Sequence, residues 1–308
     1  MNLTQSIQQK ATDLGFVFCG FAKARELTEE AKRLDQWLSG GLHGSMSYME
    51  NHFNLRIDPT QLVPGAKSVI CLACNYYTEQ TPTQPNALKI SKYAYGVDYH
   101  KLLRKKLKNL FNHIQTELST TQLNGRCFVD SAPLLERQWA NLAGLGWQGK
   151  HTLLINKKAG SFFFLAFIVL DVVLDYDAQA KDYCGTCTRC IQACPTQAID
   201  PKGYLVDGSK CISYLTIELK DQIPENFKNK LENYIFGCDI CQEVCPWNRF
   251  SKAHEEPEFN PPPNLLNMTI EDWQQLTAET FEKLFQNSAI KRTKLEGLKR
   301  NIQFVVKD

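Results

Sequence analysis

The sequence predicts a mixed α/β body (α+β) joined to a smaller module built around cysteines. Three observations predict it. Helical and strand patterns alternate through the first 175 residues, and the apolar runs Ser68–Tyr77 and Ser161–Leu174 read as buried strands. Eight of the twelve cysteines then fall between Cys184 and Cys245. The full 308 residues are too many for that cysteine block alone and leave enough chain for a separate core. The expected domains are 1–175, 176–260 and 261–308, the last a helical extension packing on the body.

Taken in order, residues 3–15 have helical period and 15–24 read as a first strand with its turn. LTEEAKRLDQWLSGG is helical and stops at a glycine pair, a good C-cap. A loop-rich stretch follows, closed by the strand Ser68–Tyr77. Cys71 and Cys74 lie on that strand, where side chains three apart face opposite ways, so they read as core rather than as ligands. ISKYAYGVDYHKLLRKKLKNLFNHIQ begins as a loop and becomes a helix whose Lys101, Arg104, Lys105, Lys106 and Lys108 form a basic face. Such a face is either ordinary solvated surface or a phosphate contact. The strand Gly125–Val129 ends at Asp130, and Ser131-Ala132-Pro133 should open a helix running to about Leu145. An acid at the carboxyl end of a strand is where open α/β sheets place ligands. Asp130 could also simply cap that helix. No phosphate-binding glycine motif sits between a strand and a helix, which argues against a nucleotide fold. The prolines at 257 and 261–263 make an extended connector, and a last helical pair carries a second basic cluster around Lys291 and Arg292.

The cysteine block carries the chemistry. Cys184, Cys187, Cys190 and Cys194-Pro195 have the spacing C-x2-C-x2-C-x3-C-P, the bacterial ferredoxin run, in which three thiolates hold one cluster and the fourth reaches a second. Cys238, Cys241 and Cys245-Pro246 repeat it one ligand short, and Cys211 makes up the number. The cross-over then assigns Cys184, Cys187, Cys190 and Cys245 to one [4Fe-4S] cluster, and Cys194, Cys211, Cys238 and Cys241 to the other. Zinc and disulfides are the competing uses of such cysteines. The duplicated Cys-Pro ending favours clusters over zinc, and a reducing compartment disfavours disulfides. Formal charge is only +2, so a polyanionic partner would need a local basic patch. No apolar run is long enough to span a bilayer and MNLTQSIQQK lacks a signal pattern, so the expectation is a cytoplasmic, membrane-free monomer.

Several stretches together resemble one family. PGAKSVICLACNYY, ISKYAYGVDYHKLL, CFVDSAPLLERQWANLAGLGWQGKHTLLIN, CISYLTIE and FGCDICQEVCPWN are similar to epoxyqueuosine reductase, which completes queuosine synthesis in bacterial tRNA. The resemblance covers nearly the whole chain. It implies a cobalamin-binding α/β domain fused to a ferredoxin-like domain with two [4Fe-4S] clusters. The implied reaction is two-electron reduction of the epoxide at the wobble base, with loss of water, fed by an external low-potential electron donor. It makes Asp130 the proton donor, with a pKa raised by burial beside the corrin. Arg56, Tyr93, Lys150, His151 and Ser213 become expected corrin or substrate contacts. Family members usually carry asparagine where this chain has His151, and arginine where it has Tyr95. No D-x-H-x-x-G cobalt-ligating motif is present, Leu103 standing where the glycine would follow Asp98-Tyr99-His100. A corrin is therefore expected without histidine on cobalt. Many members have further C-terminal helical repeats, so the grip on tRNA is expected from Lys105, Lys106, Lys291 and Arg292. Two rival functions share parts of this pattern: a small-molecule reductase of the dehalogenase type, and an electron-transfer module with no chemistry of its own.

Overall fold

The computed structural model describes residues 2–120 and 122–306. Among these the strands are β1 Phe18–Lys23, β2 Ser68–Asn75, β3 Lys89–Ile90, β4 Gly125–Phe128, β5 Trp147–Gln148, β6 Leu154–Ile155, β7 Phe163–Leu170 and β8 Tyr234–Phe236. The body is a four-stranded sheet in the order β1-β2-β7-β4. Every pairing in it is antiparallel, with Cys71 opposite Phe167 in one register and Cys127 opposite Ile168 in another. The body is thus α+β rather than a parallel open sheet. The ligand-site rule for parallel sheets does not apply, although Asp130 does follow the carboxyl end of β4.

β2 and β7 are apolar throughout because helices cover both faces. Ile70, Leu72 and Cys74 enter one core with Ile7, Leu103, Leu107, Leu110 and Ile114. Val69, Cys71 and Ala73 enter the other with Trp139, Ala140 and Leu145. The two strand cysteines therefore face opposite cores, as the period of two requires. Spacings of four, three and four put Leu103, Leu107, Leu110 and Ile114 on one stripe of the helix Tyr99–Glu117. Each such side chain contributes roughly 1.5–3 kcal/mol by leaving water. The helix starts at Asp98, whose carboxylate accepts the His100 N–H at 3.0 Å, and stops where Ser119 takes φ 50°.

The third and fourth cores lie elsewhere. β3 pairs in parallel with β8, so Leu88, Ile90, Ala94 and Tyr95 pack with Phe236, Trp273, Phe285 and Leu298. Residues 88–95, expected within the first domain, thus join the C-terminal core. The closing helix Lys294–Val306 grips the cluster module: buried Asn301 donates to the Thr216 and Ile235 carbonyls, both at 2.8 Å. Among the described residues no helix is long and apolar enough to cross a membrane.

Candidate active site and cluster module

The catalytic-acid candidate sits in strained backbone. Asp130 has φ 56°, a left-handed conformation that aspartate tolerates better than most side chains. The chain turns sharply there, with the Ser131 N–H donating to the Val129 carbonyl at 2.6 Å. The next helix consequently begins only at Glu136, not at Ser131, and Leu135 stands at its N-cap position without a side-chain bond. Asp130 caps no helix. Its side chain, 48% exposed, is held toward the helix Tyr99–Glu117 instead.

Two donors reach its Oδ2: the Tyr99 hydroxyl at 3.0 Å and His100 Nε2 at 3.1 Å. The other imidazole nitrogen, Nδ1, lies 2.7 Å from Asp98. One aspartate thus caps a helix and orients the histidine that meets the other. Tyr99 is fixed by stacking on Phe164, rings 4.2 Å apart and 8° from parallel. Burial opposes charge on His100, but the bonds to Asp130 and Asp98 outweigh it and push the ring up to about 9. Desolvation likewise works to raise Asp130, yet the His100 bond and charge hold its carboxyl below the usual range. In the protein alone, the His100 counter-charge thus outweighs burial at Asp130. The high-pKa acid is its neighbour Glu136, pushed up to about 8 by desolvation and by the Asp130 charge, while its Oε1 accepts the Asp130 N–H at 2.8 Å. Sequence reasoning missed His100, Tyr99 and Glu136 as partners. Only Asp98-Tyr99-His100 offered a signal, and it was read for a cobalt ligand.

The cluster module and the C-terminal segment contribute further groups, one of which, Arg292, acts on Asp130 by its charge. A π-helical turn, Tyr214–Glu218, begins just past Cys211. Such turns recur at functional sites. Its first residue receives the loop 43–46, with the Ser45 N–H donating to the Tyr214 hydroxyl at 2.8 Å. Gly44 has φ 58° there, and a Cβ on it would stand 2.7 Å from the Tyr214 ring, so glycine is required. The last residue of the turn, Glu218, pairs with Arg292 at 2.8 Å. Tyr48 lies beside that pair; its phenol is raised by burial and by Glu218, with Arg292 and Asp130 also acting on it. The turn after Cys211 thus ends on a carboxylate, Glu218, whose partner Arg292 acts electrostatically on Asp130. The cavity of about 920 Å³ beside Arg189, Cys245 and Arg249 is separate and has no Asp130 lining.

The structure brings the thiols together in two sets. Cys184, Cys187, Cys190 and Cys245 line one cavity of about 40 Å³ with Lys150, His151 and Trp247. Burial pushes the Cys190 thiol up to about 11, and Cys245, Cys184 and Cys187 add to it. Burial also raises Cys238, with further pressure from Cys211 and Cys194, and raises Cys241, with pressure from Cys238 and Cys211. Cys190 also acts on Cys241, so the sets are adjacent. Four thiolates crowded together repel one another, and a cationic iron core between them reverses that penalty. The donor sets fit iron–sulfur clusters on that ground. Among the described residues no three His, Cys, Asp or Glu side chains stand close enough to share a single ion.

The remaining expected residues fall as follows. Lys150 Nζ donates to the Gly185 and Cys187 carbonyls at 2.7 and 3.0 Å, and with His151 it lines the thiol cavity. Arg56 spends its guanidinium on the Tyr48 and Asn51 carbonyls and braces that loop. Tyr93 is packed behind Tyr99 and Phe236. Ser213 is half-buried beside Cys211, next to the π-helical turn. Lys106 leaves the basic face: its Nζ is 2.6 Å from Glu256, the two side chains only 13% and 19% exposed. Lys105 stays exposed, and Arg104 bonds the Ser131 hydroxyl at 3.1 Å beside Asp130. Lys291 pairs with Glu282, and Arg292 is committed to Glu218.

Thiol sets that fit iron–sulfur clusters, together with a histidine held between two carboxylates at the Asp130 turn, define an oxidoreductase. Residues 56–131 match the family model described as epoxyqueuosine reductase QueG, DUF1730, and residues 183–248 match the 4Fe-4S double cluster binding domain. Epoxyqueuosine reductase of Leadbetterella byssophila is 58% identical over 98% of both chains. That of Escherichia coli is 43% identical over 94% of this chain and 77% of its own. Among solved structures, an epoxyqueuosine reductase with a tRNA-Tyr epoxyqueuosine-modified tRNA stem loop superposes with TM-score 0.89 at 28% identity, covering 98% of this chain and 81% of that one. The Bacillus subtilis enzyme, with its catalytic aspartate loop swung out of the active site, superposes equally well at 27% identity over 98% of this chain and 81% of that one. The chain belongs to the epoxyqueuosine reductase family.

Proposed function

We propose that this chain reduces the epoxide of epoxyqueuosine at the wobble position of tRNA. The carbon–oxygen bonds of the epoxide break, two electrons and two protons enter, and an alkene and water leave. The observation that carries this reading is the Asp98–His100–Asp130 array, a proton held at the pocket mouth by two carboxylates. Asp130 Oδ2 would pass the His100 proton to the epoxide oxygen and be reprotonated from the same side. Glu136, neutral below about pH 8, holds a second proton one residue-contact away. Such positioned proton transfer contributes typically 10²–10⁴-fold. The left-handed turn at Asp130 suits a loop that moves, as the corresponding loop does in the Bacillus subtilis relative.

Cys184, Cys187, Cys190 and Cys245 would hold one [4Fe-4S] cluster, and Cys194, Cys211, Cys238 and Cys241 the other. The Cys211 set is the inner one in this reading, because its π-helical turn ends at Glu218, the partner of Arg292, whose charge acts on Asp130. Electrons from an external low-potential donor would enter at the Cys184 set. Cobalamin, when bound, supplies low-potential cobalt able to drive the two-electron reduction. Ser213, Tyr48 and Asp130 would be the residues that hold it. The tRNA would lie across Lys101, Arg104, Lys105 and Lys108 at the rim of the Asp130 loop. The protein would act in the cytoplasm as a monomer.

The test offers anaerobic, cofactor-loaded protein with dithionite two substrates: an anticodon stem loop bearing epoxyqueuosine and a halogenated phenol. Loss of one oxygen from the stem loop, read by mass spectrometry, is the expected result. Halide release with an unchanged stem loop would favour the small-molecule reductase instead.

A further inference from the structure

His151 lies in the turn between β5 and β6, and its side chain is 4% exposed. Its Nδ1 accepts the Leu153 N–H at 3.1 Å. That bond places the lone pair on Nδ1 and the proton on Nε2. Nε2 is buried and has no hydrogen-bond partner. A buried donor left unpaired costs roughly 1–3 kcal/mol, so an acceptor is expected where the ring lies. The ring lines the cavity of Cys184, Cys187, Cys190 and Cys245, so thiol sulfurs are among the acceptors that share its surroundings. The same hairpin supplies a second donor, since Trp147 Nε1 reaches Cys184 Sγ at 3.4 Å. Lys150, beside His151, ties the turn to the ligand loop through the Gly185 and Cys187 carbonyls.

We infer that His151 Nε2–H donates to a sulfur of the cluster held by Cys184, Cys187, Cys190 and Cys245, and sets its reduction potential. The inference rests on the iron–sulfur assignment above. Reduction adds an electron to the cluster, and a donor aimed at its sulfurs stabilises the more negative state, raising the potential. In this role His151 is a positioning and tuning residue that acts through the cluster. The α+β body thereby adjusts, through one hairpin, a cluster whose ligands all lie in the other module.

The experiment uses full-length, anaerobically reconstituted protein labelled with ¹⁵N only in histidine, reduced with dithionite and read by pulsed EPR. A ¹⁵N hyperfine coupling from one histidine is expected. In His151→Leu, with iron and sulfide content unchanged, that coupling disappears and the midpoint potential of one cluster falls while the other stays. No ¹⁵N coupling in the wild type, or an unmoved midpoint in a fully loaded variant, overturns the inference. Should the variant fail to assemble its cluster, the wild-type coupling still decides. Absence of any iron–sulfur signal would remove the cluster assignment itself, a different failure from loss of the ¹⁵N coupling alone.

Discussion

His100 Nε2 stands 3.1 Å from Asp130 Oδ2, while its Nδ1 is held at 2.7 Å by Asp98. The ring sits in the first turn of its helix, where the macrodipole disfavours a cation, so the two carboxylates account for its charge. This makes the proton at the pocket mouth a property of three residues and not of Asp130 alone.

Replacing His100 with glutamine removes the proton but keeps a polar side chain. Turnover should drop by roughly 10²-fold or more with both clusters retained. Stability should also lose a pH-dependent part. The folded pKa of His100 is raised from 6.5 to about 9, so its contribution is complete below pH 6.5 and fades as pH rises through about 9. Denaturant unfolding at pH 6 and pH 9.5 should show wild type losing more stability than the variant over that interval.

Glu136 should shape the alkaline side of the rate profile. Its pKa of about 8 and the value of about 9 for His100 mean that both carry protons below pH 8 and lose them in turn above it. The wild-type rate under saturating reductant should hold up to about pH 8 and then fall. In Glu136→Gln the fall should begin only near pH 9. An identical profile in the two proteins would remove Glu136 from the proton store.

Lys105 and Lys106 should separate cleanly. Lys105→Glu leaves packing untouched, should weaken stem-loop binding several-fold and should flatten its dependence on salt. Lys106→Met strands Glu256 in a nearly closed site and should destabilise the fold by about 3 kcal/mol. Equilibrium unfolding and binding titrations across a salt series read both effects.

The sequence spoke most clearly where chemistry is local. Thiol spacing groups Cys184, Cys187 and Cys190 because ligand loops are short, and the strand period separates Cys71 from Cys74 because burial alternates. Strand direction was not legible: β2 pairs with β7 across some ninety residues, and an apolar run buried on both faces looks the same whether its neighbours are parallel or antiparallel. The partners of Asp130 were hidden for a similar reason. His100 lies thirty residues upstream, and nothing in Asp98-Tyr99-His100 says which carboxylate its outer nitrogen will meet. The expected rise at Asp130 rests on burial beside a corrin, and the His100 counter-charge is what no burial argument reveals from sequence. Lys106 misled because a helical wheel cannot show that Glu256 folds back over one of its basic residues.

The most direct test is a single-turnover assay on anaerobic protein whose iron, sulfide and cobalamin have been counted, comparing wild type with Asp130→Asn on an epoxyqueuosine stem loop. The account predicts a product one oxygen lighter from wild type, and unchanged substrate from a variant with the same cofactor content. Equal conversion by the two proteins, or zinc in place of iron in the active material, would contradict it.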